Sequence, residues 1–133
     1  MNRIAYALYA SRLWTFLLRL TGRVPAGAYV GWRRWMTLKQ AQRCVGPGWA
    51  GLVKEGFDLC LKNGWRIYQI KEKFGGLRFY TDEDLDDIED ESYTICEECG
   101  EPGKPRPGGW IKTRCDKCFE EASDVPEYHV RGI

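Results

Sequence analysis

Two cysteine pairs, Cys96-Glu97-Glu98-Cys99 and Cys115-Asp116-Lys117-Cys118, decide how the C-terminal part of this chain folds. Fifteen residues separate the pairs, a spacing typical of a zinc site with four thiolate ligands. Each pair can place two sulfurs on one side of a tight turn, and Gly100 permits the positive φ that such a knuckle needs. We therefore predict that Cys96, Cys99, Cys115 and Cys118 bind Zn²⁺.

The segment between the pairs is rich in proline and glycine and holds too little apolar material for a core, so metal ligation must supply most of the local folding free energy. Residues 110–114 are predicted to form a strand and residues 119–122 a short helix, which favours a treble-clef-like or zinc-ribbon-like module. A redox dithiol and two disulfides are the competing interpretations. Four thiolates leave no open coordination position, so the predicted site is structural, not catalytic.

Length and composition favour one ordinary domain plus this small module. The chain has 133 residues, of which 44% are hydrophobic and 14% aromatic, enough for a core. We predict an α+β fold with N-terminal helices, a core of one helix and a two-stranded hairpin, and a C-terminal four-cysteine module. The predicted boundaries are 1–46, 47–92 and 93–133. Cys44 and Cys60 are predicted to be small buried hydrophobes, not ligands.

The N-terminal segment is basic and aromatic. Residues 2–20 are predicted to be a helix whose wide apolar surface must be covered, by the body of the protein, by a homodimer through residues 2–20, by a groove of a host protein or by a membrane surface. The run Trp32-Arg33-Arg34-Trp35 could stack on bases while its arginines pair with phosphates. Residues 37–44 are predicted to form a short helix with Thr37 as its N-cap.

A helix and a hairpin follow. Apolar residues recur at helical spacing from Trp49 to Leu61, Gly56 lies on the same face, and Asn63-Gly64 ends the predicted helix. The next two runs, 65–74 and 77–81, flank Gly75-Gly76 and predict a hairpin with these two glycines in its turn. In that register Phe74 faces Leu77 on the apolar side.

The other side of the predicted hairpin pairs Lys73 with Arg78 and Lys71 with Tyr80. Like charges directly opposite each other are unfavourable unless an anion lies over them. The acidic run of the same chain, solvent ions or a phosphate backbone could each supply that anion.

Charges are segregated along the chain although the net charge is only +1. Residues 1–54 hold nine Lys or Arg and no Asp or Glu, whereas residues 82–101 hold eleven Asp or Glu and no Lys or Arg. The run 82–91 has only Leu85 and Ile88 as apolar anchors, so we expect at most a weakly held helix docked on the hairpin. Its Asp84, Asp86 and Asp87 are candidate partner-binding residues, and internal pairing with the basic segment is the alternative.

From Gly48-Trp49 onward the sequence resembles a group of small bacterial and phage or prophage proteins. The resemblance rests on the hairpin KEKFGGLRFY at 71–80, the knuckle Cys96-Glu97-Glu98-Cys99-Gly100, then Gly109-Trp110 and Cys115-Asp116, all in the same order. It covers residues 48–122 and leaves out 1–46. It implies a zinc-knuckle architecture and a mobile-element setting, and it implies no reaction.

The motifs that the sequence has and lacks limit the functions that we expect for it. The sequence has one histidine, no nucleophile arrangement and no phosphate-cradling glycine motif, so we do not expect an enzyme. The favoured hypothesis is a zinc-stabilised protein that contacts nucleic acid or a nucleic-acid-handling complex through residues 1–44, including Arg33 and Arg34, and through Lys71, Lys73 and Arg78. The alternative is a protein-binding inhibitor or adaptor, such as a phage factor against a host defence or transcription machine, whose acidic run mimics nucleic acid. Thiol usage and the lack of a convincing signal peptide or apolar span predict a cytoplasmic protein.

Overall fold

The structure is a computed structural model that describes residues 12–27 and 34–123. Its elements alternate between helix and strand, and the predicted α+β class is confirmed. The helices in the described ranges are α1 (Arg12–Leu20), α2 (Leu38–Gln42), α3 (Ala50–Asn63), α4 (Asp86–Ser92) and α5 (Asp116–Ser123), with a 3₁₀ turn at Pro47–Trp49. The strands there are β1 (Val24–Ala26), β2 (Arg34–Met36), β3 (Ile67–Lys73), β4 (Gly76–Thr81), β5 (Lys104–Arg106) and β6 (Lys112–Arg114).

The first four strands form one mixed sheet in the order β2-β1-β3-β4, and β5 and β6 form a separate two-stranded sheet. β1 pairs antiparallel with β2 and parallel with β3, where Ala26 lies beside Ile67. Residues 24–26 and 34–36, which lie between the two predicted N-terminal helices and for which no strand is predicted, are strands that extend the sheet of the hairpin. Strands of three residues are too short to show the alternation of apolar and polar side chains by which strands are recognised.

Helix α3 covers one face of this sheet, as its apolar spacing predicts. Its buried face contributes Leu52, Val53, Gly56, Phe57 and Cys60 to the core. Gly56 is needed for a close approach, because a Cβ added there would lie 2.8 Å from the Phe79 ring. The helix ends at Gly64, which has a φ of 71° and donates its backbone N–H to the carbonyl of Cys60, the predicted glycine stop.

The turn of the β3–β4 hairpin differs from the prediction. Lys73 pairs with Gly76, so the two turn residues are Phe74 and Gly75, with φ of 53° and 83°. Two consecutive positive φ angles are those of a type I′ turn, whose twist matches the flanking strands. Gly76 is a strand residue, and its lack of a side chain serves another purpose, since a Cβ there would overlap the Tyr93 ring.

The corrected register changes the charge pairs but not the faces. Lys71 is opposite Arg78, while Ile70 is opposite Phe79 and Glu72 is opposite Leu77. The predicted pairs Lys73–Arg78 and Lys71–Tyr80 are therefore wrong, because the partner of each residue on the opposite strand is shifted by two positions.

Helix α4 covers the free edge of β4. Leu85 and Ile88 are buried, which confirms them as the anchors of the acidic run. The backbone N–H of Leu77 donates to Ser92 Oγ at 2.9 Å, and the N–H of Phe79 donates to Glu89 Oε1 at 3.0 Å. Side-chain acceptors thus satisfy an edge strand that would otherwise be open to another chain.

Helix α1 contacts the body of the protein through a residue of its polar stripe. Arg19 donates to the carbonyl of Leu61 at 2.7 Å and to that of Lys62 at 2.9 Å, at the end of α3 where carbonyl groups lack helical partners. Phe16 and Leu20 stay exposed. The rest of the predicted helix, residues 2–11, lies outside the described residues. Within the described ranges, the helices are too short or too polar to cross a bilayer.

The structure also tests three smaller predictions, for Thr37, Cys60 and Cys44. Thr37 is the N-cap of α2, and it forms a capping box with Gln40, so that prediction is confirmed. Cys60 is fully buried as predicted, and burial raises its pKa to about 12. Cys44 is exposed, so its predicted burial is wrong: it follows the short helix α2, and its thiol donates to the carbonyl of Gln40.

Candidate metal centre

The first cysteine pair lies in a knuckle closed by backbone hydrogen bonds. The N–H of Cys96 donates to the carbonyl of Glu101 at 2.8 Å, and the N–H of Gly100 donates back to the carbonyl of Cys96 at 2.9 Å. Gly100 has a φ of 83°, the positive angle expected from the sequence. The turn therefore points Cys96 and Cys99 to one side.

The second pair lies where the β5–β6 hairpin runs into α5. Cys115 directly follows β6, and Cys118 is in the first turn of the helix, where its N–H donates to Cys115 Sγ at 3.4 Å. The strand predicted at 110–114 covers only Lys112–Arg114, and the predicted C-terminal helix starts earlier, at Asp116. Knuckle, strand and helix follow one another as in the predicted treble-clef-like or zinc-ribbon-like module, and β5, for which no strand is predicted, pairs with β6 to form a hairpin.

The four cysteines come together in space. Their sulfur atoms all lie within 4.8 Å of one another, and the sulfurs of Cys99 and Cys115 are 3.6 Å apart. A tetrahedron with metal–sulfur bonds of about 2.3 Å has sulfur–sulfur edges of about 3.8 Å, whereas a disulfide requires about 2.05 Å. The cysteines are free thiols at ligand spacing, so the cluster can hold one metal ion.

No protein-family model matches the chain, and neither a curated protein nor a solved structure shows significant similarity to it. The chemistry of the site therefore has to be argued from its own residues.

The thiols influence one another strongly. Burial raises the pKa of Cys96, but hydrogen bonds from the backbone N–H groups of Cys115, Cys99 and Glu98 outweigh it and lower that pKa to about 7. The pKa of Cys118 is raised, mainly by its hydrogen bond with Cys115 and then by burial. The N–H of Glu101 lowers the pKa of Cys99, yet desolvation and the sulfurs of Cys115 and Cys96 raise it overall. One thiolate makes the next unfavourable until a cation neutralises the group.

Two arginines of the β5–β6 hairpin pair with acidic residues that neighbour the cysteines in sequence. Arg114 lies 3.5 Å from Glu98, and Arg106 forms a 2.7 Å ion pair with Asp116 while its guanidinium lies over the Phe119 ring. These pairs join the hairpin to the knuckle and to α5.

The knuckle docks closely on the chain before α3. The N–H of Gly48 donates to the carbonyl of Glu97 at 2.6 Å, and Trp49 Nε1 donates to the carbonyl of Ile95 at 2.8 Å. A Cβ on Gly48 would overlap the carbonyl oxygen of Cys96. The buried Glu97 carboxylate accepts from the N–H of Gly46, and burial raises its pKa.

The predicted basic residues of the hairpin share one face. Arg78 is half-buried, donates to the Tyr93 hydroxyl at 3.0 Å and lies 3.9 Å from Glu89. Lys71 lies over the Tyr80 ring and Lys73 over the Phe74 ring, at 5.8 and 5.6 Å. Within residues 12–27 and 34–123, neither lysine has a carboxylate at ion-pair distance.

The other predicted site residues are dispersed. Asp84 precedes α4, and Asp86 and Asp87 begin it; all three are exposed and form no ion pair with any residue that the structure describes. Arg34 starts β2, where it pairs with Ala26, and Arg33 lies outside the described residues. The structure thus places Lys71, Lys73 and Arg78 on one face of the hairpin.

A cleft near the metal centre was not foreseen. It has a volume of about 370 Å³ and lies between the β3–β4 turn and the β5–β6 loop, with Phe74 and Trp110 on its walls. Both rings are exposed, by 69% and 77%. The sequence held one indication of this cleft. Phe74 directly precedes Gly75-Gly76, and the strand spacing is equally consistent with Phe74 as a turn residue, where its ring would be exposed.

Proposed function

We propose that this chain is a zinc-stabilised binding protein of the phage or prophage type, and that it contacts nucleic acid or a nucleic-acid-handling complex. The observation that carries the proposal is the pair Lys71 and Lys73, two lysines on one hairpin face that lie over aromatic rings. Cations beside aromatic side chains suit a ligand that has phosphates and flat bases.

Zinc is the ion that best fits the cluster. Soft thiolates select zinc over the hard cations, and four of them at tetrahedral spacing form the usual structural site. Such a site leaves no position for water or substrate, so we expect no catalysis at the metal. A reducing compartment keeps the thiols available, which favours the cytoplasm.

The proposal is tested by reversing two charges. The double variant Lys71→Glu with Lys73→Glu should remove binding to a nucleic acid, because both residues are exposed or half-exposed and can reach phosphates. For the unchanged protein, log affinity against log salt should fall with a slope of roughly −2 to −3 if two or three phosphates are contacted. Fluorescence anisotropy over a salt series measures both.

The matched control is Lys54→Glu with Lys62→Glu. It changes the net charge equally but lies on the exposed side of α3, away from the hairpin face. Its expected structural costs are small: the exposed Lys54–Asp58 ion pair is lost, and Lys62→Glu places a negative charge in the last turn of α3. Equal binding by the two double variants, or no salt dependence, would reject the proposed face.

One observation favours a second function. Asp84, Asp86 and Asp87 form an exposed acidic surface that is not used in covering β4, a task performed by Glu89 and Ser92. This surface could enter the basic groove of a partner protein as a nucleic-acid mimic. The test is to immobilise this chain and expose it to nuclease-treated bacterial lysate. A partner protein that binds the original chain but not the variant Asp86→Lys with Asp87→Lys would favour this function over the first. The predicted homodimer through residues 2–20 stays a prediction that a sedimentation experiment can decide.

A further inference from the structure

The cleft between the two hairpin tips has walls of unlike origin. Phe74 comes from the β3–β4 turn, whereas Trp110 and Ile111 come from the loop between β5 and β6. Two aromatic rings from separate sheets thus meet solvent at the same place, and neither contributes to the core.

The turn that carries Phe74 is held rigidly. Thr113, which is fully buried on β6, donates its hydroxyl to the carbonyl of Gly75 at 2.5 Å. The N–H of Gly75 donates to Glu72 Oε1 at 2.9 Å, and the other oxygen of Glu72 binds Lys112 at 3.0 Å. These contacts tie the tip of one hairpin to the other, so the walls of the cleft are fixed before any ligand arrives.

Phe74 has a backbone conformation that its side chain disfavours. It is the one non-glycine residue with positive φ among those that the structure describes. Asn, Asp and Gly are the usual residues at such a turn position, and a bulky residue there is strained. Strain of this kind is concentrated at functional sites. An exposed ring kept at a strained position, without burial to compensate, indicates a role in binding.

The charged side chains around the cleft indicate the kind of ligand that it can bind. Lys73 lies over the Phe74 ring and Lys112 lies over the Trp110 ring, at 5.6 and 5.8 Å. Because cations already lie beside both rings, a cationic ligand is disfavoured. Glu72, the acidic residue of the cleft wall, is occupied by Lys112 and by Gly75. An anionic ligand with flat apolar faces fits this combination.

We infer that the cleft binds single-stranded nucleic acid, with unpaired bases stacking on Phe74 and Trp110 and a flanking phosphate near Lys73. A duplex keeps its bases stacked inside, so aromatic rings at hairpin tips can stack only on bases that are unpaired. This inference rests on the proposed function and adds to it the class of nucleic acid and the residues that recognise bases.

The test compares a single-stranded oligonucleotide of about 15 nucleotides with the duplex of the same sequence. The protein should prefer the single strand. Phe74→Asn and Trp110→Ala should each weaken that binding by about 5- to 150-fold, the range found when one stacking ring is removed. The conservative variants Phe74→Tyr and Trp110→Phe keep a ring and should bind nearly as the original does.

Folding is controlled in the same samples. Phe74→Asn relieves an unfavourable φ, so it should melt at an equal or higher temperature although it binds more weakly. If single-strand binding is unchanged in both Phe74→Asn and Trp110→Ala, this inference is overturned. The proposed function still stands in that case, provided that the double variant of Lys71 and Lys73 abolishes binding. Equal affinity for duplex and single strand would also overturn it. A protein that binds neither probe would overturn both.

Discussion

Removing one ligand of the cysteine cluster should unfold the metal module and leave the helix-sheet core folded. We choose Cys99→Ser, because Cys99 is exposed and its loss creates no cavity. Among residues 93–122 only Cys96, Glu97 and Thr113 are buried, too little to fold without an ion. The core around α3 draws almost entirely on residues outside the module, with Ile95 alone packed against it.

The magnitude follows from the contacts that cross between the two parts. Each hydrogen bond contributes about 1 kcal/mol, so losing the six that cross over a long sequence separation should cost the core about 6 kcal/mol. A core whose stability exceeds that cost, within the ordinary range of about 5–15 kcal/mol, stays folded, with a melting temperature lowered by roughly 25 to 50 °C. The six bonds are Gly48 N to Glu97 O, Gly46 N to Glu97 Oε2, Trp49 Nε1 to Ile95 O, Thr113 Oγ1 to Gly75 O, Lys112 Nζ to Glu72 Oε2, and Arg78 to the Tyr93 hydroxyl.

Hydrogen exchange separates the two parts. In Cys99→Ser, amides of the knuckle such as those of Cys96 and Gly103 should exchange freely, whereas those of α3 and β3 should keep slow exchange. The unchanged protein should hold one zinc ion with an apparent Kd between about 50 nM and about 2 pM. Cys44→Ser is the matched control, since Cys44 is also an exposed thiol but lies outside the cluster. Loss of protection in α3 together with the knuckle would refute a separable core, and full zinc affinity in Cys99→Ser would refute the four-thiolate site.

Two further predictions concern the contacts around this core. Gly48→Ala should destabilise the protein by about 1–3 kcal/mol, because the new methyl group meets backbone atoms of the knuckle, and Gly51→Ala, with open space around its Cβ, should be neutral or stabilising in the same thermal melts. The hydrogen bond from the Tyr68 hydroxyl, together with that from the Arg66 N–H, lowers the pKa of Asp82 below its ordinary value of 3.8. The ionised form therefore stabilises the fold above that ordinary value, and the contribution is lost as the pH falls through the lowered pKa. Urea midpoints of the original protein and of Asp82→Asn should accordingly differ at about pH 7 and converge once the pH falls below the lowered pKa of Asp82, and a constant gap would contradict this assignment.

The sequence was most informative where one physical signal dominated. The apolar spacing of α3 and its stop at Gly64 have one reasonable structural solution, which the structure shows, and the four cysteines lie together as their spacing predicts. The prediction of the turn was wrong because the strands on both sides keep their alternation whether the two turn residues are Phe74-Gly75 or Gly75-Gly76. Only a tertiary contact, that between Gly76 and the Tyr93 ring, decides between them, and no local pattern reports it.

Other features were beyond local patterns for the same reason. The pairing of β1 with β3 brings together residues about 40 positions apart through strands of three residues, which leave no periodic trace. Arg19 is a charged residue in a helix with a wide apolar surface, and its partners, the free carbonyl groups at the end of α3, are more than 40 positions away in the sequence. A polar residue beside an apolar surface is ambiguous until its partner is known.

The metal centre and the cleft are connected by a short series of contacts. Cys115 and Cys118 fix the end of β6, and β6 presents Thr113 two residues before the first of these ligands. Thr113 holds the carbonyl of Gly75, and Gly75 sets the turn in which Phe74 has its strained backbone conformation. An ion held by the four cysteines would therefore affect the cleft, because Cys115 directly follows the strand whose Thr113 contacts the β3–β4 turn. Binding at the proposed cleft should then depend on the metal, because residues 93–122 have almost no core of their own to hold that strand in place.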